Sequence, residues 1–380
     1  MNKDQKLAAL ELHKNGKLSI ELSKPINNYN DLALAYSPGV AEPCKLIAQN
    51  SNEIWNYSNK SNTVLVVSNG SAVLGLGNIG ATASIPVLEG KAALFKRFAN
   101  INAIPIAITE KDPDKLIDII SKIAINYGGI NLEDIKAPEC FYIEEQLSQK
   151  LPIPVFHDDQ HGTAIVIIAG LINACKLYNK NLQHIKVIIN GAGAAGIATA
   201  KLLKHIGIKN IILCDSRGPI YKNRGFSNIY KDEFACEKPM SLEDAIRDQD
   251  VFIGLSMGNI LTKEMILNMK KNAIIFALAN PDPEIVPNIA KSYRDDVIIA
   301  TGRSDFNNQI NNILCFPYLF AGLLKYKIPK IDNTLKILLS NSIAEFAQKS
   351  PDFGTEKIIP SVFDKKLYDH ILNTIRQLES

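Results

Sequence analysis

Residues 185–196 read IKVIINGAGAAG, and this stretch decides the fold. Ile185 to Ile189 is a short β-branched run, which predicts a buried strand. Gly191-Ala192-Gly193-Ala194-Ala195-Gly196 follows directly and opens a small-residue helix that runs through Leu203. A second strand, Ile211-Ile212-Leu213, ends at Asp215, about 22 residues after Gly193. Strand, GxGxxG, helix, strand and acidic residue in that order predict a dinucleotide-binding unit. Glycines there let the backbone approach a pyrophosphate, and the helix N-terminus faces it with partial positive charge. Asp215 is placed to accept hydrogen bonds from a ribose, which favours NAD. Arg217, Lys222 and Arg224 follow closely and offer cations to a 2′-phosphate, so NADP remains open. The nucleotide set is Gly191, Gly193, Ala194, Ala195, Gly196, Asp215, Ser216 and Arg217, with Ser256 and Asn280.

Further strands are expected at Val251 to Ile253, Ala273 to Phe276 and Val297 to Ala300. Their alternation with helices predicts a parallel, doubly wound α/β sheet. Upstream, Thr63 to Val67 and Ala103 to Ile108 also read as strands. Ile85 to Phe98, Asp114 to Ile125 and Gly162 to Leu177 read as helices. The expected architecture is an N-terminal α/β substrate and dimerisation domain (1–163), a Rossmann-type nucleotide domain (164–325) and a helical segment packing back (326–380). A second GxGxxG, Gly75 to Gly80, lacks an acidic residue at a following strand end. It reads as a glycine-rich turn near a substrate, or as a packing turn.

The chain has 380 residues, 46% hydrophobic and 21% charged, as in globular proteins. Lys and Arg exceed Asp and Glu by 42 − 39 = 3, which gives no reason to expect a nucleic-acid partner. No secretory signal is read at the N-terminus, and the apolar run Ala164 to Ala174 is too short to span a bilayer. Six scattered cysteines without a CxxC pair predict reduced, mostly buried thiols in a cytoplasmic protein.

Two acidic pairs stand out. Glu133 and Asp134 follow Gly128-Gly129, and Asp158 and Asp159 lie within FHDDQHG, residues 156–162. Oxygen ligands suit Mg²⁺ or Mn²⁺. Each pair taken singly also suits a helix cap or a solvated face.

Several long stretches, in order, resemble the malic enzymes of the short bacterial type. They are DLALAYSPGVAEPC (31–44), SNGSAVLGLGNIG (68–80), PVLEGKAALF (86–95), NLEDIKAPEC (131–140), FHDDQHGT (156–163), ANPDPE (279–284), and TGRSD (301–305) through NNILCFP (311–317). The resemblance implies oxidative decarboxylation of (S)-malate to pyruvate and CO₂ with NAD or NADP and a divalent metal. It implies Tyr36 as catalytic acid, Lys91 as base and Asp158 as its support. Glu133, Asp134 and Asp159 are the implied metal ligands, and Asn280 with Asn311 or Asn312 the substrate-carboxylate contacts. It also implies a homodimer, in which Tyr36 could complete the partner's site, and no phosphotransacetylase-like extension. Ala72 stands where the larger eukaryotic-type enzymes carry an arginine. Asn307 and Ala321 also depart from the family pattern, and residues 344–353 look shortened. Lys91 must be neutral to act as a base, and burial with a nearby Mg²⁺ is expected to lower its pKa. The competing readings are a metal-dependent oxaloacetate decarboxylase, a plain 2-hydroxy acid dehydrogenase and a nucleotide-sensing binding protein.

Overall fold

The computed structural model describes residues 3–73, 75–225 and 228–378. Two parallel sheets organise it. The first has the order β2-β1-β3-β4, from β1 (Thr63–Ser68), β2 (Asn102–Ala107), β3 (Gly129–Leu132) and β4 (Val155–His157). Val64 pairs with Ala103 on one side and Gly129 on the other. Every residue of β1 is buried, as its unbroken TVLVVS run requires of a central parallel strand.

The second sheet has the order β10-β9-β8-β5-β6-β7. Its strands are β5 (Lys186–Asn190), β6 (Asn210–Asp215), β7 (Gly218–Pro219), β8 (Val251–Gly254), β9 (Ala273–Ala277) and β10 (Val297–Thr301). All pair in parallel except β7, a two-residue antiparallel edge on β6. Val187 of β5 pairs with Ile211 and with Val251, so chain order reverses at β5. Such a switch point opens a crevice at the carboxyl ends of the strands, where nucleotides bind in this architecture.

The helices in chain order are α1 (Lys3–His13), α2 (Tyr29–Ala35), α3 (Ala41–Gln49), α4 (Ile54–Tyr57), α5 (Gly80–Ala99), α6 (Pro113–Ile123), α7 (Glu139–Lys150), α8 (Asp158–Leu177) and α9 (Ala194–His205). Then come α10 (Ile229–Asp232), α11 (Leu242–Ala245), α12 (Lys263–Leu267), α13 (Pro287–Tyr293), α14 (Phe316–Lys325), α15 (Asn333–Gln348) and α16 (Lys366–Arg376). α5 begins at Gly80, five residues before the expected start, so the early glycine motif leads directly into it. α8 likewise begins at Asp158 rather than Gly162, because His157 ends β4 and the chain turns at once into the helix.

α8 is the axis of the molecule. It leaves β4, contacts α9 beside the second sheet and packs along α15. By length and composition α8 could cross a membrane, unlike the shorter apolar run read within it. Here it is enclosed, with Ala164 to Leu171 all buried. Phe95 of α5 meets Phe316 and Phe320 of α14 edge to face, with ring centroids 4.9 and 5.4 Å apart, tying the C-terminal helices to the first sheet. The six cysteines are free thiols, four of them buried.

The N-terminal arm behaves differently. No described residue before Lys60 is buried. Ile20 is 99% exposed, Tyr29 90% and Leu22 75%. The arm touches the body where Lys17 donates to the Pro86 carbonyl and to Glu89 of α5. Large apolar side chains are thus open to solvent along the whole arm.

Candidate active site

The first sheet ends in acids. β3 runs out into Glu133 and Asp134, and β4 into Asp158 and Asp159, because the two strands are neighbours whose carboxyl ends lie side by side. Ligand oxygens of Glu133, Asp134 and Asp159 all lie within 4.8 Å of one another. Asp134 is held at φ 52°, a left-handed conformation that Asp tolerates better than most residues. Its N–H donates to Asp159 Oδ2 at 2.8 Å, and Asn131 Nδ2 donates to Glu133 Oε2 at 2.9 Å.

Lys91 enters this cluster from α5. It is 8% exposed, with Nζ 2.5 Å from Asp158 Oδ2, 3.0 Å from Glu133 Oε1 and 4.3 Å above the Phe316 ring. Burial opposes its charge, but Asp158, Glu133 and Asp159 together outweigh burial and hold its pKa well above the ordinary lysine value. The protein's own carboxylates thus favour the charged form of Lys91, and the neutral amine expected from sequence was tied to a nearby Mg²⁺ as well as to burial. The expected effect of burial is present; the carboxylates overcome it.

Those carboxyls shift upward as well. Burial pushes Asp158 up to about 6, with Lys91 resisting. Burial also raises Glu133 and Asp159, again against Lys91. Four acids against one ammonium leave a large negative excess in a buried place. Asp158 Oδ1 and Asn131 Oδ1 are buried and accept no hydrogen bond. Excess negative charge, clustered oxygens and orphan acceptors suit a hard divalent cation.

Across the crevice stand the strand ends of the second sheet. A cavity of about 270 Å³ is lined by Gly75, Asp159, Thr163, Ala195, Ser256, Asn280, Asn311 and Asn312, among others. The early glycine motif thus reaches the cleft: a Cβ on Gly75 would lie 3.4 Å from the Asn280 carbonyl. Gly193 caps α9, and a Cβ there would meet nothing within 4 Å, leaving an open cradle at the helix N-terminus. A Cβ on Gly196 would lie 1.7 Å from the Gly191 carbonyl, so the turn closes only with glycine. These features fit a nucleotide pyrophosphate.

The two asparagines read as alternatives do different things. Asn312 Nδ2 donates to Asp158 Oδ2 at 2.7 Å, while Asn311 Oδ1 accepts the Ile313 N–H and caps a short 3₁₀ turn. Asn280 Nδ2 donates to the Leu278 carbonyl, and Asn190 Nδ2 donates to Ser256 Oγ.

Asp215 sits at the end of β6 but is not a free acceptor. Arg224 grips it with both terminal nitrogens, Lys231 Nζ lies 3.3 Å away, and the Arg217 N–H donates to it at 3.1 Å. Burial would raise its carboxyl; Arg224 overrides this and holds it down at about 2. Lys222 pairs instead with Glu237. Ser216 and Arg217 are exposed beside Asp215.

Tyr36 is not brought to this cluster by its own chain. It ends α2 on the exposed arm, 70% accessible, and does not line the cleft. Glu284 escaped the sequence reading. It is fully buried and joins the two loops of the cleft by accepting the Ser256 N–H at 3.3 Å and the Ala279 N–H at 3.0 Å. Burial pushes it up to about 7. The ANPDPE stretch contained it, but nothing local showed that its side chain turns back into the crevice.

A nucleotide-binding sheet facing a buried lysine and carboxylate cluster defines a dinucleotide-dependent oxidoreductase. Residues 15–148 match the family model "Malic enzyme, N-terminal domain", and residues 160–366 match "Malic enzyme, NAD binding domain". The chain belongs to the malic enzyme family. It is 50% identical to the bifunctional malic/malolactic enzyme of Bacillus subtilis, over 94% of this chain and 89% of that protein. It is equally identical to a probable NADP-dependent malic enzyme of Rickettsia prowazekii, over 97% of this chain but only about half the length of that relative. The solved malic enzyme of Pyrococcus horikoshii superposes with a TM-score of 0.92 at 40% identity, covering 99% of this chain and 90% of that one.

Proposed function

We propose that this chain oxidatively decarboxylates (S)-malate to pyruvate and CO₂ with NAD⁺ or NADP⁺ and a divalent cation. The observation that carries the reading is Lys91, clasped by Glu133 and Asp158 beside the carboxylates of Asp134 and Asp159. Glu133, Asp134 and Asp159 would hold the cation, and the Gly193 cradle with Ser256 and Asn280 the nucleotide. When bound, the cation neutralises the acids and polarises the C2 oxygen of malate, while the nicotinamide accepts hydride.

The chain's own groups then have defined tasks. Lys91, relieved of its carboxylate field, takes the C2 hydroxyl proton at Nζ and passes it to Asp158 Oδ2 at 2.5 Å. Asn312 holds that oxygen in place. Asn280 and Asn311 offer polar atoms on the cleft wall to a substrate carboxylate, in place of the arginine missing at Ala72. Tyr36 supplies a phenol O–H that protonates C3 after CO₂ leaves. Because its arm is exposed and rich in apolar side chains, we infer that the arm crosses to a second copy and places Tyr36 in the partner's cleft.

Both nucleotides are accepted on this reading. Arg224 and Lys231 already neutralise Asp215, so a 2′-phosphate meets no uncompensated carboxylate. The test is an assay of products. Malate, Mg²⁺ and NAD⁺ or NADP⁺ should yield reduced nucleotide and pyruvate in equal amounts. Accumulating oxaloacetate would point to a plain dehydrogenase, and nucleotide-independent turnover of oxaloacetate alone to a decarboxylase.

A further inference from the structure

We propose a second ligand site, for a small dianionic oxyanion, in the cavity enclosed by α7, α8, α9 and the start of α15. The cavity has a volume of about 290 Å³ and shares no lining residue with the coenzyme cleft. α8 divides the two: Asp159 and Thr163 face the cleft, Gln160 and His161 the second cavity.

Its acidic floor is saturated. Glu144 of α7 accepts the His157 N–H at 2.7 Å, His161 Nε2 at 2.8 Å and Gln160 Nε2 at 3.2 Å. His161 Nε2 must carry its proton toward Glu144, since two lone pairs facing at that distance would repel. Lys336, in the first turn of α15, has Nζ 3.4 Å from that same nitrogen. A protonated Nε2 offers the ammonium nothing to bond. Lys336 is only 9% exposed and makes no ion pair among the described residues. Burial pushes it below the ordinary lysine value, more than Glu144 and Asp332 support it from a distance, and Lys201 adds repulsion. A buried ammonium without a hydrogen-bond acceptor is only partly compensated by carboxylates at a distance.

Lys201 of α9 lines the same cavity and is also without an ion pair among the described residues. Its Nζ lies 4.9 Å over the face of Tyr230. The other carboxylate on the wall, Glu145, is exposed. Neither lysine on this cavity makes an ion pair among the described residues, Glu144 supporting Lys336 only from a distance, and a dianion of dicarboxylate or phosphate size would pair with both. Its lysines come from helices α9 and α15, while Glu144 of α7 grips the backbone just before Asp158 and Asp159. Occupancy thus braces the second sheet's helix against the element that carries the acids.

Calorimetric titration of the full chain with succinate and, separately, with inorganic phosphate tests this. Wild type should bind one equivalent that Lys336→Met binds about tenfold or more weakly, the loss of one charged hydrogen bond. Lys201→Met should show a smaller loss, and Lys336→Arg should retain binding. Malate turnover without added anion should be unchanged in Lys201→Met. A response to succinate alone identifies a dicarboxylate site, and to phosphate alone a phosphate site. Equal stoichiometry and affinity in wild type and the Met variants, for both anions, would overturn the proposal. If Lys336→Met does not fold, Lys201→Met, exposed and therefore tolerant of substitution, decides by the same criterion.

Discussion

Lys91 and Lys336 are buried to nearly the same degree, 8% and 9% exposed, and both lie against the first turns of α8. Their ammonium groups are nonetheless driven in opposite directions. Carboxylates in contact with Lys91 outweigh its burial and hold it charged; burial prevails at Lys336, which Glu144 and Asp332 support only from a distance, and pushes it toward neutrality. Depth of burial sets how much a charge matters, and the partners set its sign.

The sharpest break of this comparison is at Lys91. Lys91→Ala should lower kcat for malate oxidation by about 10²- to 10⁴-fold, as expected for loss of a general base. Mixing it with Tyr36→Phe should restore part of the activity if the arm crosses between subunits. No recovery in mixed dimers would return Tyr36 to its own chain, and a near-normal rate in Lys91→Ala would remove the lysine from the mechanism.

Asn131 probes the carboxylate side. Asn131→Ala frees Glu133 Oε2, and apparent Mg²⁺ affinity should weaken about 10- to 100-fold, read from rate against metal concentration. An unchanged metal curve would separate Glu133 from the cation.

Arg224 is the intermediate case, a cation paired with one carboxylate. Arg224→Ala leaves Asp215 beside the ribose site with Lys231 as its remaining cation and should shift the NADP⁺-to-NAD⁺ ratio of kcat/KM toward NAD⁺ by about tenfold. A constant ratio would show that Asp215 does not face the 2′ position.

The smallest effect is expected at Lys336. Its folded pKa lies below its unfolded value, so the unfolded chain binds the extra proton. The stability penalty is complete below the folded pKa and fades as pH rises toward the ordinary lysine value. Lys336→Met should therefore raise stability by on the order of 1 kcal/mol at neutral pH. The gain should shrink at alkaline pH in thermal melts; a gain that grows with pH would contradict the unpaired ammonium.

Much of the nucleotide half was legible because its signals are local. Residues 185–196 carry their own strand, turn and helix, and Gly196 can be only glycine for a reason internal to that turn. The early glycine motif was less informative. Its neighbours lacked the acidic residue of a nucleotide site and left a substrate turn or a packing turn, and only the fold showed Gly75 at the cleft wall.

The family-bearing stretches named Glu133, Asp134, Asp158 and Asp159, and the parallel pairing of β3 with β4 explains how two acidic pairs 25 residues apart reach one place. Asp215 shows the limit of such readings. Its spacing from Gly193 is sequence information, but its grip by Arg224 depends on how the loop after β7 returns.

Sequence by itself determined the strand–helix alternation, the nucleotide turn and the acidic residues, since each rests on residues adjacent or periodic along the chain. Tertiary structure alone decided that carboxylates surround Lys91, that Tyr36 is absent from its own chain's cleft, that Glu284 bridges two loops and that Lys336 makes no ion pair among the described residues. Those facts are electrostatic and steric. They depend on which atoms from distant segments lie within a few ångströms, and chain order does not state that distance.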